Sequence, residues 1–344
     1  MYELLNETSV ISGSYVWSKL TGKPYNDIDI YTNSNLTLTQ AQFIYTSNHY
    51  GLKVDNYIYQ NNKVQVIHVE CDPILYIKET FDMNFLKNYM NNSGTIYTLH
   101  NQDLLIEEIN ITNYSKIYQE RIVKYKERGV KFLNKGKTVD ELKPDKETRN
   151  YWIDQYKRLG YIVIPLSDRQ SGKVPLLKNW TNTTLLLDNK SLNSTNIGLL
   201  VGKESNLICI DVDHCDNGVE VFDKLIEKYK LPDCPIQVTP NGGRHYLFQY
   251  TEELSGFSSI KGVIKNNEKI GIDIFTEKRQ FVVCPSINLI TGNEYKWSNS
   301  LITTAPPAIP RWLIYLIKNK HINNDYEIIG YNDTYLNSFL SYFK

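Results

Sequence analysis

Short runs of alternating apolar and polar residues dominate the chain, broken by a few stretches at helical spacing. In the first third, "YNDIDIYT" and "KVQVIHVE" alternate at period two, as half-buried strands do. "PILYIKETFDMNFLKNYM" spaces its apolar residues so as to include a helix. Residues 113–133, "NYSKIYQERIVKYKERGVKFL", set aromatic and aliphatic residues among Lys, Arg and Glu at the spacing of an amphipathic helix. The polar run "NKGKTVDELKPDKET", with its Gly and Pro, predicts a linker over 134–147. A helix follows, "TRNYWIDQYKRLG", closing at Gly160. Then come the strand candidates "YIVIPL", "NIGLLVG", "LICIDVD", "PIQVTP", "HYLFQY", "IGIDIF" and "FVVCPS". One helix, "GVEVFDKLIEKYKL", interrupts them, and "PPAIPRWLIYLIKNK" enters a short helix through prolines. The pattern predicts two domains, 1–133 and 148–318, and a polar, Tyr-rich tail, 319–344, to which no element is assigned.

Composition narrows the class. A length of 344 residues suits two ordinary domains, and 41% apolar with 22% charged residues suits a globular protein. Lys plus Arg and Asp plus Glu balance at 38 each, which excludes an overall basic nucleic-acid binder. A local basic groove beside an acidic site would cancel in that sum and is not excluded. The five cysteines (Cys71, Cys209, Cys215, Cys234 and Cys284) include no C-x-x-C pair, and their odd number suggests reduced thiols. A zinc site from His214, Cys215 and Cys234 is poorly spaced, and a plain loop is the better reading. The N-terminus has no basic segment leading into an apolar one, and no apolar stretch spans a bilayer. A soluble, intracellular protein without membrane partners is therefore expected.

The candidate chemistry lies in the second half. In "LICIDVDHC" (207–215), strand alternation points Ile210 and Val212 one way and Asp211 and Asp213 the other. Two carboxylates on one face are either solvated on an edge strand or compensated by a hard divalent cation such as Mg²⁺ or Mn²⁺. "KIGIDIF" (269–275) sets Asp273 opposite Ile272 and Ile274, and an acid in so apolar a strand needs a partner. Three aspartates on neighbouring strands could hold two metal ions roughly 3.5–4 Å apart, the arrangement for in-line phosphoryl transfer. In "VTPNGGRHYLF" (238–248), Asn-Gly predicts a tight hairpin turn, and His245 on the following strand could donate to a triphosphate oxygen. Arg244, one residue earlier, points to the other face of an ideal strand.

The order of these pieces resembles the bifunctional primase–polymerase (prim-pol) domain of the archaeo-eukaryotic primase superfamily. "GKVPLLKNW" (172–180) is similar to its early Lys–Pro–Trp segment, and "NIGLLVGKESNLICIDVD" to the strand pair leading into its first acidic motif. "TPNGGRHYLF" is similar to its histidine motif. "IGIDIF" is similar to its third motif, and "FVVCPSINLITGNEYKW" (281–297) to the Pro-Ser…Gly…Tyr-x-Trp stretch after that motif. The resemblance covers about 146–318. It implies an α+β fold with an RNA-recognition-motif-like catalytic sheet. It makes Asp211, Asp213 and Asp273 the metal-binding carboxylates, with His245 as catalytic residue and contact to the nucleotide's phosphates. Lys173, Arg244 and Ser286 become further nucleotide-binding candidates, and Lys173 is also a candidate for template contact. Many relatives carry Ser where this chain has Gly243, which removes a hydroxyl donor. The implied activity is template-directed polymerisation of nucleoside triphosphates, as DNA primase or DNA polymerase, on single-stranded DNA with two Mg²⁺ or Mn²⁺ ions.

"ISGSYVWSKLTGKPYNDIDIYT" (11–32) carries a second resemblance, to the nucleotidyltransferase fold of the DNA polymerase beta superfamily. That resemblance implies a mixed sheet with helices over 1–130. Gly13 and Ser14 would face phosphates from a helix N-terminus, and Asp27 and Asp29 would bind metal on the next strand. Glu70 and Asp82 are both candidates for the third carboxylate the family uses, and an inactive version of the fold is an open alternative.

Other readings stand beside these. The chain could be a non-catalytic accessory protein that binds single-stranded nucleic acid, though three aspartates argue for chemistry. Clustered aspartates also cleave phosphodiesters in metal nucleases, which the histidine motif disfavours. Tyr and Phe among the lysines of 114–132 read as a core-facing stripe rather than a base-stacking platform. Lys278 and Arg279 are either template-groove or solvated loop residues. No Walker sequence is present, so no helicase motor is visible in the chain. The prim-pol resemblance implies a helicase partner or fusion, and the pairing of the two resemblances fits a replication protein of a virus or mobile element. For a viral chain, the site of action would be the host cytoplasm or a viral factory.

Overall fold

A computed structural model describes residues 1–49, 51–99, 103–110, 115–169, 171–181, 194–257, 262–329 and 331. The fold is α+β, and the chain divides into two compact units, Met1–Thr138 and Val139–Lys344.

In the first unit the elements run β1 (Ser9–Ser12), α1 (Ser14–Thr21), β2 (Ile28–Thr32), β3 (Gln42–His49), β4 (Leu52–Tyr59), β5 (Asn62–His68) and α2 (Pro73–Thr80). They continue with β6 (Tyr89–Met90), β7 (Ile96–Tyr97), β8 (Ile106–Glu108), α3 (Lys116–Glu127) and β9 (Lys131–Leu133). A mixed sheet in the order β3-β4-β5-β2-β1-β6-β7 forms the frame, with β2 and β5 parallel. Ile28 and Ile30 of β2 are fully buried with Ile11, Val16, Val64 and Val66, which leaves Asp27, Asp29 and Tyr31 toward the other side. The helix expected over 113–133 is described only from Lys116 and ends at Glu127. Gly129 then takes φ 93°, and Lys131–Leu133 pairs with β8 instead of extending the helix. Within α3, Tyr118, Ile122 and Tyr125 are buried, as the core-facing stripe requires.

The second unit opens inside the stretch expected to be a linker. That stretch holds α4 (Val139–Leu142) and the cap of α5 (Lys146–Arg158), where the Asp145 carboxylate accepts the Thr148 N–H at 2.7 Å. The chain continues through β10 (Val163–Leu166), β11 (Asn196–Val201), β12 (Ile208–Val212), α6 (Gly218–Tyr229), β13 (Ile236–Val238) and β14 (Arg244–Phe248). It ends with β15 (Val263–Lys265), β16 (Glu268–Ile270), β17 (Ile272–Phe275), β18 (Arg279–Val283), β19 (Lys296–Asn299), α7 (Arg311–Asn319) and β20 (His321–Ile322). The last lies in the segment left unassigned from sequence, most of which is outside the described residues.

Two sheets meet face to face. The larger has the order β17-β12-β14-β13-β19 and is antiparallel throughout. One face, carrying Ile210, Val212, Tyr246, Ile272 and Ile274, is sealed by Phe222 and Leu225 of α6 and Trp312 and Leu313 of α7. Truncating the fully buried Phe222 to Ala would cost about 3–5 kcal/mol on the usual scale for core aromatics. The other face presents Cys209 and Leu247 to Leu199, Phe281 and Val283 of the smaller sheet, β10-β11-β18. Helix α5 packs there through Ile153 and Tyr156. Past this apolar patch, toward the ends of β12 and β14, the same face turns polar.

Candidate active site

The polar end of that face is built by register. Asp211 of β12 pairs directly with Asp273 of β17 on one side and His245 of β14 on the other, and His245 pairs with Gln237 of β13. Cross-strand partners share a face, so all four side chains stand in one row across the sheet. His245 is buried between the Phe281 and Tyr295 rings, with centroids at 5.3 and 6.0 Å, and its Nε2 lies 3.3 Å from Asp211 Oδ1. Asp273 Oδ1 accepts the Gly262 N–H at 2.7 Å. Asp213 falls one residue beyond the end of β12 rather than within it, because the chain turns there toward α6. Its N–H still donates to the Gly271 carbonyl at 2.7 Å, which holds it beside β17.

Lys173 reaches the site from the loop after β10. Its backbone carbonyl accepts from Gln280 Nε2 at 2.9 Å, and the neighbouring Gly172 carbonyl accepts from Asn196 Nδ2 at 3.1 Å. Lys173, Asp211, Asp213, Thr239, His245 and Tyr295 line a cleft of about 30 Å³, together with Asn241 and Asn288.

The charges in the cleft act on one another. Burial pushes the Asp211 carboxyl up, but the His245 ring and the Lys173 ammonium outweigh it and hold the group below its ordinary value. Asp213 goes the other way. Its tip is exposed, yet loss of hydration at the cleft wall and the neighbouring Asp211 and Asp273 charges push its carboxyl up to about 6. The Lys173 ammonium is raised by Tyr295 first and then by Asp211 and Asp213.

The sequence expectations divide here. Asp211, Asp213, His245 and Lys173 come together, with Asp273 paired across from Asp211. Arg244 does not join them. Its Nη1 donates to Asp223 on α6 at 2.6 Å and to the Tyr246 hydroxyl at 3.1 Å, on the helix-covered face, which corrects its assignment as a nucleotide contact. Ser286 is corrected too. It is fully buried, donating to the Ile197 carbonyl at 3.0 Å and accepting the Ile197 N–H at 2.9 Å, so it ties a loop to β11. Lys278 and Arg279 lie past the end of β17 remote from the cleft. Cys234 is buried in the core, and no group of three His, Cys, Asp or Glu side chains converges as a metal cluster among the described residues.

Sequence reasoning missed Thr239 and Tyr295, which line the cleft, and Gln237, which is buried behind His245. The expected Asn-Gly hairpin turn is instead a turn over Thr239–Gly242, with Pro240 in its second place and the Gly242 N–H on the Thr239 carbonyl at 3.0 Å. This turn carries the Thr239 hydroxyl to within 3.0 Å of where a side chain on Gly243 would begin. The Thr239 hydroxyl thus stands beside the Gly243 position. The signal was the Thr-Pro step, since Pro favours such a second place in a turn.

Whether this donor set suits a divalent cation is a matter of its chemistry. Hard carboxylate oxygens of Asp211 and Asp213 face one cleft, and burial first, then the Asp211 and Asp273 charges, disfavour ionisation of Asp213. The set fits Mg²⁺ or Mn²⁺ in donor type.

The first unit gathers its own candidates. Gly13, at φ 77°, precedes α1, and a side chain there would meet Asp29 Oδ2 at 3.4 Å. The Ser14 hydroxyl lies 3.5 Å from Asp27 Oδ1. Burial and the Asp27 charge push Asp29 up to about 7. Beside Asp29, parallel β5 places Gln65. Glu70 lies past the end of β5 in an exposed bend, and Asp82 is paired with Arg121 at 2.8 Å, so neither stands opposite Asp29 in the sheet. Asp29, Tyr31, Lys63, Gln65 and Tyr76 contribute to the wall of a cleft of about 390 Å³.

The second unit thus brings paired acids and a histidine together on an antiparallel sheet beside a lysine. Residues 153–312 match the family model Prim-Pol, described as bifunctional DNA primase/polymerase, N-terminal. Among solved structures, the chain is similar to the CCA-adding enzyme of Bacillus stearothermophilus bound to CTP, at 15% identity and a TM-score of 0.27. That match covers 44% of each chain, so the chain spans less than half the length of that enzyme, and the likeness is too distant to bear on fold or activity. No curated protein matches. No helix among the described residues is long and apolar enough to cross a membrane.

Proposed function

We propose that the second unit joins nucleoside triphosphates on a single-stranded DNA template, as a DNA primase, a DNA polymerase or both. The observation that carries this reading is the row Asp273–Asp211–His245, with Asp213 and Lys173 at the same cleft inside the region that matches the Prim-Pol family. Asp211, Asp213 and Asp273 would hold Mg²⁺ or Mn²⁺. Bound there, the metal would lower the pKa of an attacking hydroxyl and stabilise charge on the departing pyrophosphate. His245 contributes a hydrogen-bond donor and Lys173 a positive charge toward the phosphates, with the Thr239 hydroxyl beside them. The test is nucleotide incorporation on a single-stranded template with Mg²⁺ or Mn²⁺, with and without primer, using deoxy- and ribonucleotides. Activity retained in full by the double variant Asp211→Ala/Asp213→Ala would overturn the assignment.

A second reading concerns the first unit. The approach of Gly13 and Ser14 to Asp29 and Asp27 beside an open cleft supports nucleotide binding there. An Asp27→Ala variant that binds and transfers nucleotides as the parent does would count against it.

A further inference from the structure

Gln237 is fully buried on β13, and every polar atom of its side chain is engaged. Its Oε1 accepts the Cys284 backbone N–H at 2.7 Å. Its Nε2 donates to the Val282 backbone carbonyl at 2.8 Å and lies 2.9 Å from His245 Nδ1. The two backbone groups leave the amide no freedom. A backbone N–H can only donate and a backbone carbonyl can only accept, so the oxygen must face Cys284 and the nitrogen Val282. The remaining hydrogen of that nitrogen points at His245 Nδ1. A neutral imidazole holds one hydrogen, and a ring nitrogen that accepts a hydrogen bond does not carry it.

We infer that Gln237 is a positioning residue that fixes His245 as the Nε2–H tautomer, so that the histidine offers the cleft a hydrogen-bond donor and not a base. The assignment rests on the nucleotide role proposed for this cleft. Val282 belongs to β18 of the smaller sheet and Cys284 directly follows that strand, whereas Gln237 and His245 sit in the larger sheet. The clamp therefore makes the tautomer depend on the packing of one sheet against the other. On the cleft side, the Nε2 hydrogen meets Asp211 Oδ1 at 3.3 Å, longer than a charge-assisted bond of good geometry. A phosphate oxygen entering the cleft can compete for it. A base at this position would need Nε2 bare, which the Gln237 amide opposes by holding Nδ1 as an acceptor.

The test is the protonation pattern of His245 in the full chain, read from two-bond nitrogen–proton correlation spectra of protein labelled with ¹⁵N-histidine. His245→Asn identifies which of the six histidines is observed. In the parent chain, Nε2 is expected to carry the hydrogen and Nδ1 none. Gln237→Met removes the donor at similar length, and the Nδ1–H tautomer is then expected to become populated. Gln237→Glu keeps an acceptor for the Cys284 N–H but places an acceptor at His245, and is expected to favour Nδ1–H. A hydrogen on Nδ1 in the parent, or a folded Gln237→Met chain that keeps Nε2–H alone, overturns the inference. If neither variant folds, the parent spectrum decides. These spectra need no turnover, so an inactive parent would sink the proposed polymerase and leave the tautomer assignment standing. In an active parent, Gln237→Met should lower kcat/KM for nucleotides by about tenfold or more, with template affinity unchanged.

Discussion

Asp211 and His245 are direct cross-strand partners on β12 and β14, and their side chains meet at 3.3 Å at the polar end of a sheet face whose other end is apolar. Removing the donor with His245→Ala should lower kcat for nucleotide incorporation by about 100-fold, the usual scale for one preorganised donor. Binding of single-stranded template should be unchanged. Steady-state kinetics alongside template-binding titrations check this, and equal losses in both would place His245 in template contact instead.

The Gly243 position makes a steric prediction. A side chain there would begin 2.5 Å from the Val212 carbonyl and 3.0 Å from Thr239 Oγ1. Gly243→Ser should therefore destabilise the fold, by about 1–3 kcal/mol as overpacking usually does, rather than restore a useful hydroxyl. Thr239→Val keeps the shape and removes the hydroxyl. It should raise KM for nucleotides about tenfold, the worth of one hydrogen bond, at nearly unchanged thermal stability. Denaturation curves and nucleotide kinetics on the two variants separate the effects.

Arg244 offers the complementary control. Its ion pair with Asp223 lies on the far face of the sheet, and both side chains are substantially exposed. Arg244→Ala should leave nucleotide incorporation as it is and cost at most about 1 kcal/mol of stability. A large loss of activity in a stable variant would show that the chain uses this face.

These outcomes depend on what was and was not legible in the residues. Period-two alternation was enough to place Asp211 and Asp273 opposite Ile210, Ile272 and Ile274, because burial of one face fixes where every side chain of a strand points. It also turned Arg244 away from His245. What alternation does not contain is register between strands. That Asp211 lies between Asp273 and His245 depends on where β12, β14 and β17 come to rest, which turns and core packing decide together. Ser286 followed a motif into the site although its hydroxyl is spent on Ile197, a contact 89 residues away in sequence. Gln237 stayed invisible for the same reason, since its partners Val282 and Cys284 arrive from another sheet. A polar residue at an inward position of "PIQVTP" was the one local sign of it.

Asp213 makes the site sensitive to pH in a direction that can be worked out. Its carboxyl rises from an ordinary 3.8 to about 6 in the folded chain, because the cleft wall and the Asp211 and Asp273 charges disfavour ionisation. A folded-state pKa above the unfolded value means the fold binds the proton more tightly. The stability linked to that proton is fully present below about pH 4 and is lost as pH rises through 6. Screening at this exposed carboxylate leaves a difference of about 1 kcal/mol. In chelator, Asp213→Asn should therefore be more stable than the parent above pH 6, and the two should converge near pH 4. Adding Mg²⁺ or Mn²⁺ at pH 7 to 8 should raise the parent's Tm by relieving the same repulsion, and should do so less in Asp213→Asn. Thermal melts of both proteins across pH, with and without the ion, test the two halves together. A parent Tm that ignores the ion at pH 8 while Asp213→Asn still gains stability would mean the repulsion is real but no cation is drawn to it.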